Sequence, residues 1–278
     1  MTPYRFCTLY SGSTGNSAYL ETPSARILID AGRCARTLTR SLFSIGVDVD
    51  SLDAIFITHE HSDHVAALEV LAKHHFIPVH MTLKSAMRYR ANPPMELCTC
   101  LQIHDCTDFS VTVGDLTVTA FPVSHDSRCA VGYRITGPDG FCVGLATDIG
   151  VVTPDLERGL AGCEAVVLES NHDVDMLWEG PYPYELKTRI LSRHGHLSNE
   201  DSATFAARLA ASGTRHILLA HLSEQNNLPD LAYGTAKSAL AGTSTHLEVA
   251  SPEEVTMLVG HMGEPIPKTS HVTEVTPC

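Results

Sequence analysis

Seven residues, Thr58-His59-Glu60-His61-Ser62-Asp63-His64, constrain this chain more than any others, because they directly follow the apolar run at residues 54–57. A short continuous apolar run reads as a strand buried on both faces. Its end delivers the next residues to one edge of a sheet, where three imidazoles and a carboxylate can converge. His59 and His61 are spaced to offer two nitrogens to one ion, while Asp63 and His64 can turn toward a second. Imidazole with carboxylate suits zinc, iron or manganese, and the lack of a cysteine ligand tolerates harder metals. A solvated histidine-rich loop is the bland alternative, and the placement after a buried strand argues against it.

The surrounding pattern predicts where that edge lies. Weak alternation over 4–9, the Gly-rich turn Ser11-Gly-Ser-Thr-Gly-Asn16 and apolar runs at 18–20 and 26–29 predict strands joined by tight turns. Helical spacing predicts helices over 33–45, stopped by Gly46, and over 65–75, then a strand at 77–80 and a helix near 83–90. Strands are expected at 109–113, 116–123, 130–136, 141–146, 165–169 and 216–220, with helices at 184–193 and 199–211. One further strand is expected after 243, and a peripheral or frayed extension from about 250 closes a single domain over 1–278. Two strand-rich runs, each followed by helices, imply two packed sheets with helices outside: an α/β fold, as an αββα sandwich.

Composition narrows the partners. With 32 acidic and 19 basic residues the formal charge is −13, which gives no general attraction to nucleic acid or anionic membrane. A polyanionic substrate must then be held locally, where bound metals would reverse the sign. No apolar stretch approaches the roughly 20 residues that span a bilayer, and the start of the chain has no apolar signal core. Nine scattered cysteines suit reduced thiols better than a secreted disulfide framework. The chain reads as a cytoplasmic protein.

Four more fragments recur in order: Ile29-Asp30-Ala31-Gly32, Ser124-His125-Asp126, Ala146-Thr147-Asp148 and Leu219-Ala220-His221-Leu222. With the His-x-His-x-Asp-His run they resemble the metallo-β-lactamase superfamily. That resemblance implies a metallo-β-lactamase-like sandwich with His59, His61 and His125 on one ion and Asp63, His64 and His221 on the other. Asp148 would bridge them, and Asp30 would support the ligands from behind. His172, in Ser170-Asn-His-Asp173, competes with His125 for the first ion. Two divalent ions about 3.5–4 Å apart lower the pKa of a shared water and clamp the oxygens of a displacement. The small positive charge left after Asp63, Asp148 and a hydroxide favours a phosphate ester.

Gly195-His196-Leu197-Ser198-Asn199-Glu200-Asp201 precedes a predicted helix, with Ser198 as N-cap and Asp201 as its capping-box partner. The orphan N–H groups of a helix start can receive a phosphate oxygen, which makes Ser198 a candidate phosphate contact; Asn16 of the Gly-rich turn is another, through its side-chain amide, though turn chemistry alone also explains it. In related phosphodiesterases a histidine in this setting contacts the scissile phosphate or protonates the leaving group, so the resemblance makes His196 a candidate general acid. A capping loop with a solvated histidine is the alternative. The Gly-rich turn, Glu169-Ser-Asn-His-Asp173, Gly195-His-Leu-Ser-Asn199 and Leu219-Ala-His-Leu-Ser223 together resemble the YycJ (WalJ) branch of that superfamily, over about residues 4–230. The branch implies a two-metal exonuclease of DNA repair, acting 5′–3′ on double-stranded DNA, with His196, Asp63 and Asp148 catalytic. The alternatives are a hydrolase of a small cyclic phosphodiester or thioester, and a non-catalytic metal-bearing binding module. Trp178, Tyr182 and Tyr184 read first as packing residues, with base stacking or covering of a cleft as the functional alternative.

Overall fold

Strands apolar at every position need cover on both faces, and this chain meets that need with two stacked sheets and an outer layer of helices on each. The computed structural model describes residues 3–89 and 94–259. The first sheet holds β1 (Arg5–Tyr10), β2 (Ser17–Glu21), β3 (Arg26–Ile29), β4 (Ala54–Phe56), β5 (Val79–Thr82) and β6 (Leu101–His104). The second holds β7 (Ser110–Val113), β8 (Leu116–Pro122), β9 (Val131–Thr136), β10 (Cys142–Ala146), β11 (Ala165–Glu169), β12 (His216–Ala220) and β13 (His246–Val249). A last strand, β14 (Thr256–Val259), returns to the first sheet and pairs antiparallel with β1. The orders are β14-β1-β2-β3-β4-β5-β6 and β13-β12-β11-β10-β9-β8-β7.

Both sheets change character partway. β1 to β3 are antiparallel and β3 to β6 parallel; β7 to β10 are antiparallel and β10 to β13 parallel. Successive side chains point to opposite faces, so one apolar run feeds two cores. Ile27, Ile29 and Phe56 pack with Tyr133, Val143, Val167 and Leu218 between the sheets. Leu28 and Ile55 face outward onto Leu38 and Leu42 of α1 (Ala35–Ser44). Past α2 (Ser62–Val65), Leu68 and Leu71 of α3 (Leu68–His75) join that outer cluster, and α4 (Leu83–Ala86) and α5 (Met95–Cys100) follow. On the second sheet, Val166, Leu168, Ile217 and Leu219 face α6 (Pro154–Leu160), α9 (Asn199–Ala211) and α10 (Pro229–Ala239). α7 (Val174–Glu179) and α8 (Tyr184–Ile190) stand between α6 and α9 in the chain. The architecture is the expected αββα sandwich.

Several expectations change in detail. The helix expected over 65–75 is two, because the loop after β3 captures the backbone at the break: Ala31 N donates to His64 O (2.8 Å) and Ala67 N to Ala31 O (2.9 Å). α6 and α10, each with proline in its first turn, and the strand β6 were not anticipated. The helix near 83–90 is a single turn, α4, continued by a 3₁₀ turn to Tyr89, and Arg90 lies outside the described residues. Of the extension from about 250, the described part is the turn into β14, at the edge of the first sheet; the rest lies outside the described residues. Among the described residues no helix is long and apolar enough to cross a membrane.

Candidate metal centre

Every candidate ligand sits just past the end of a strand or in the short helix after one, and two of these exits, with that of the supporting Asp30, are sharply bent. Asp30 (φ 63°), Asp148 (φ 58°) and His221 (φ 57°) adopt the left-handed conformation that only a few per cent of non-glycine residues take. Such turns aim a side chain across the sheet edge at a local energetic cost that the packed strands behind must support. Close approach does the rest: a Cβ on Gly32 would come within 1.6 Å of Asp63 O, so only glycine lets the loop after β3 lie against the metal-motif backbone.

The side chains brought together fall into overlapping groups. His59, His61 and His125 form one, Asp63, His64 and His221 another, and Asp148 joins His59 and His64 in a third. Asp148 lies between them: its Oδ2 is 3.2 Å from His64 Nε2, and its Oδ1 is 3.5 Å from His221 Nε2 and 3.7 Å from His125 Nε2. Each of four imidazoles has its far nitrogen engaged from outside the cluster. His64 Nδ1 donates to Asp30 Oδ2 (2.8 Å), His221 Nδ1 to Glu169 Oε1 (3.1 Å) and His125 Nδ1 to Gly195 O (3.2 Å). His59 Nδ1 meets the Thr58 hydroxyl at 3.1 Å. Carboxylate or carbonyl behind, ligand nitrogen in front, is the arrangement that orients metal-bound histidine.

The residues fit a metal on a second ground. His59 Nε2, His221 Nε2 and Asp148 Oδ2 are buried without a hydrogen-bond partner. Such orphan atoms cost about 1–3 kcal/mol each unless something satisfies them, and divalent cations held at the cluster would satisfy all three. The mutual electrostatics are correspondingly strong. Burial alone would drive protons off His221, yet the carboxylates of Asp148, Asp63 and Glu169 overcome it and push the ring up to about 10. Burial likewise favours neutral Asp148, but the charges of His221, His64 and His59 hold it well below the usual carboxylate range.

Glu169, in the sequence only one member of the Glu-Ser-Asn-His-Asp run, is central to the site by its position. It is fully buried at the end of β11. Oε1 accepts from His196 Nδ1 (2.8 Å), His221 Nδ1 (3.1 Å) and Asp148 N (3.2 Å); Oε2 accepts from Ile149 N (2.8 Å) and Leu197 N (3.0 Å). Although burial raises its pKa, His196 and His221 pull it down to about 2. Glu169 also falls in a possible ligand group with Asp148, His196 and His221, but both its oxygens are already committed to these donors. Nothing in the run Val-Val-Leu-Glu distinguishes it from an edge glutamate; its meeting with Asp148 and Leu197 exists only in the fold.

His196 faces the same cleft. Burial disfavours its charge, but Glu169 outweighs burial and raises its pKa. With Nδ1 donated to Glu169, Nε2 is the nitrogen left for the cleft. The cleft measures about 230 Å³ and is lined by His61, Asp63, His125, Asp148, His196 and His221 on its polar side.

Three expected residues stand elsewhere. His172 is not among the converging groups: its backbone pairs with Ser198 in a parallel bridge, which fixes the chain away from the cluster, and its ring nitrogens are buried without partners. His125 occupies the place for which both competed. The Ser198 hydroxyl caps α9, accepting from Asp201 N (3.1 Å), and Ser198 does not line the cleft. Asn16 does not line it either, because its amide is spent inside the Gly-rich turn. There Nδ2 donates to Gly12 O (3.0 Å) and Oδ1 accepts from Gly12 N (3.1 Å) and Ser11 Oγ (3.0 Å). Its Nδ2 still touches His64 Nε2 at 3.3 Å and reaches Asp63 Oδ2 at 3.5 Å, so it packs against the cluster beside these two candidate ligands.

Residues 25–222 match the family model described as a beta-lactamase superfamily domain. The chain belongs to the metallo-β-lactamase superfamily. It is 37% identical over 239 residues to exodeoxyribonuclease WalJ of Streptococcus pneumoniae, covering 86% of this chain and 88% of that protein. It is 39% identical over 231 residues to exodeoxyribonuclease YycJ of Bacillus anthracis, covering 82% and 85%. The fold is similar to that of the metallo-β-lactamase fold protein YhfI of Bacillus subtilis, with a TM-score of 0.70, 18% identity and coverage of 92% and 100%. Membership of this superfamily, together with the histidine–aspartate cluster, makes the chain a metal-dependent hydrolase.

Proposed function

We propose that this protein is a phosphodiesterase that works as an exonuclease, degrading double-stranded DNA 5′–3′ in the cytoplasm in the service of DNA repair. The observation that carries the reading is the placement of His196. An imidazole held at Nδ1 by a buried carboxylate, 3.9 Å from Asp148 Oδ1, is suited to protonate a leaving oxygen beside the ligand cluster. Similarity over most of the chain to proteins named exodeoxyribonucleases supports DNA as the substrate.

Two divalent ions of zinc, manganese or iron would be held by His59, His61 and His125, and by Asp63, His64 and His221, with Asp148 between. When bound, they supply an activated water and a clamp on the phosphate oxygens. The chain's own residues orient and finish the reaction. Asp30 fixes which nitrogen His64 presents and Glu169 does so for His221 and His196, and Glu169 keeps a proton on His196. His196 Nε2 gives a proton to the oxygen that leaves phosphorus.

The test is cleavage of end-labelled duplex DNA by protein reconstituted separately with manganese and with zinc. A ladder growing from the 5′ end is expected, reduced at least about 10³-fold by Asp148→Ala, the loss of several kcal/mol of charge stabilisation. Absence of cleavage of any phosphodiester, with two ions bound per chain, would sink the proposal.

A further inference from the structure

One wall of the cleft is unused by the chemistry above. Tyr182, Leu186 and Ile190 line it. Leu186 and Ile190, four residues apart, share one face of α8, and Tyr182, in the turn before the helix, lines the cleft with them. α8 buries none of its residues fully, and these three side chains are half-buried. The face opens into the cleft instead of a core. Apolar side chains beside histidines and aspartates in one cleft suit a ligand with an anionic group at one end and a flat apolar part at the other.

Resting on the nuclease reading, we infer that this wall receives the base of the nucleotide whose phosphate lies at the ligand cluster, with Tyr182 as the stacking ring. On this inference one nucleotide, unpaired from the duplex end, enters the cleft of about 230 Å³, which favours exonucleolytic over internal cutting. The wall is held in place from three sides. Lys187 Nζ donates to the carbonyls of Trp178 (2.6 Å) and Gly180 (2.7 Å), closing the turn that carries Tyr182. Arg189 forms an ion pair with Asp126, next to His125. Ile190 O accepts from His196 N (2.9 Å), and a Cβ on Gly195 would lie 2.0 Å from that oxygen, so only glycine permits this contact. The base wall and the proton donor are therefore one unit.

The experiment gives manganese-loaded protein two duplexes, whose attacked end carries either a normal nucleotide or an abasic tetrahydrofuran residue. Wild type should favour the normal end in kcat/KM by about 5- to 150-fold, the worth of one stacked base. Tyr182→Ala should bring that ratio close to one and Tyr182→Phe should retain it; Leu186→Ser should lower it less. The ratio is internal to each variant, so a general loss of rate does not imitate the effect. An unchanged ratio in Tyr182→Ala overturns this inference and leaves the nuclease reading standing. A wild type that cuts neither duplex nor any other phosphodiester overturns the nuclease reading, and this inference with it.

Discussion

The loop after β4 and the short helix α2 supply His59, His61, Asp63 and His64 from one continuous run, whereas the second sheet supplies His125, Asp148 and His221 one at a time, from the ends of β8, β10 and β12. Each half is braced by one buried carboxylate. Asp30 accepts from Thr58 N (2.8 Å), Thr58 Oγ1 (2.9 Å) and His64 Nδ1 (2.8 Å), all in a single segment. Glu169 instead gathers three segments distant in sequence, around residues 148–149, 196–197 and 221. If Asp30 is lost, backbone bonds from Ala31 and Ala67 still tie the motif. If Glu169 is lost, no other side chain among the described residues joins Asp148, His196 and His221 in this way. A contiguous motif needs a brace to orient it; a dispersed one needs a brace to exist.

That contrast can be broken by experiment. Removing a carboxylate behind metal-bound histidine costs about 10–100-fold in metal affinity or activity. Glu169→Gln should fall at the upper end, in both metal titration and kcat/KM, and Asp30→Asn at the lower end. Equal effects, or a larger one for Asp30→Asn, would remove the distinction.

Acid denaturation of the metal-free protein sharpens it. The folded-state pKa of Glu169 is depressed from 4.5 to about 2, so its contribution is present above 4.5 and is lost as pH falls toward 2. Burial opposes this depression and His196 and His221 cause it. Between pH 6 and pH 3 that residue should account for about 2 kcal/mol of lost stability. Urea titrations of Glu169→Gln should show a shallower decline over this range by about that amount. A slope identical to wild type would show that Glu169 is not held ionised by its histidines.

The smallest effect concerns Ser198. As a helix cap outside the cleft, Ser198→Ala should cost about 1 kcal/mol of stability, seen as a lower urea midpoint, with kcat/KM on duplex DNA within about twofold. A tenfold kinetic loss without a stability change would return Ser198 to the phosphate.

Legibility followed contiguity. The His59–His64 run, the strand before it and the strand limits of the β7–β10 meander could be read because period, turn residues and ligand spacing are local properties. Asp30, His125, Asp148, His196 and His221 needed resemblance, since each is an ordinary residue after an ordinary strand. The bracing role of Glu169 and the place of Leu186 and Ile190 escaped even that, and Tyr182 reads first as packing, with base stacking as its alternative. A buried glutamate ending an apolar strand and an apolar stripe on a short helix both have common structural explanations, and nothing in one dimension says what they face.

By itself, then, the sequence determined which segments are strands buried on both faces, that two sheets must pack with helices outside, and that a metal-binding run lies at a strand end. Periodicity and side-chain chemistry suffice for that. Only the tertiary structure decided that His125 rather than His172 meets His59 and His61, that Asp148 stands between the two groups, and that Glu169 ties the second half together. Those outcomes depend on parallel strand register and on three left-handed turns at Asp30, Asp148 and His221. Such turns are imposed by the packing around them rather than by local preference.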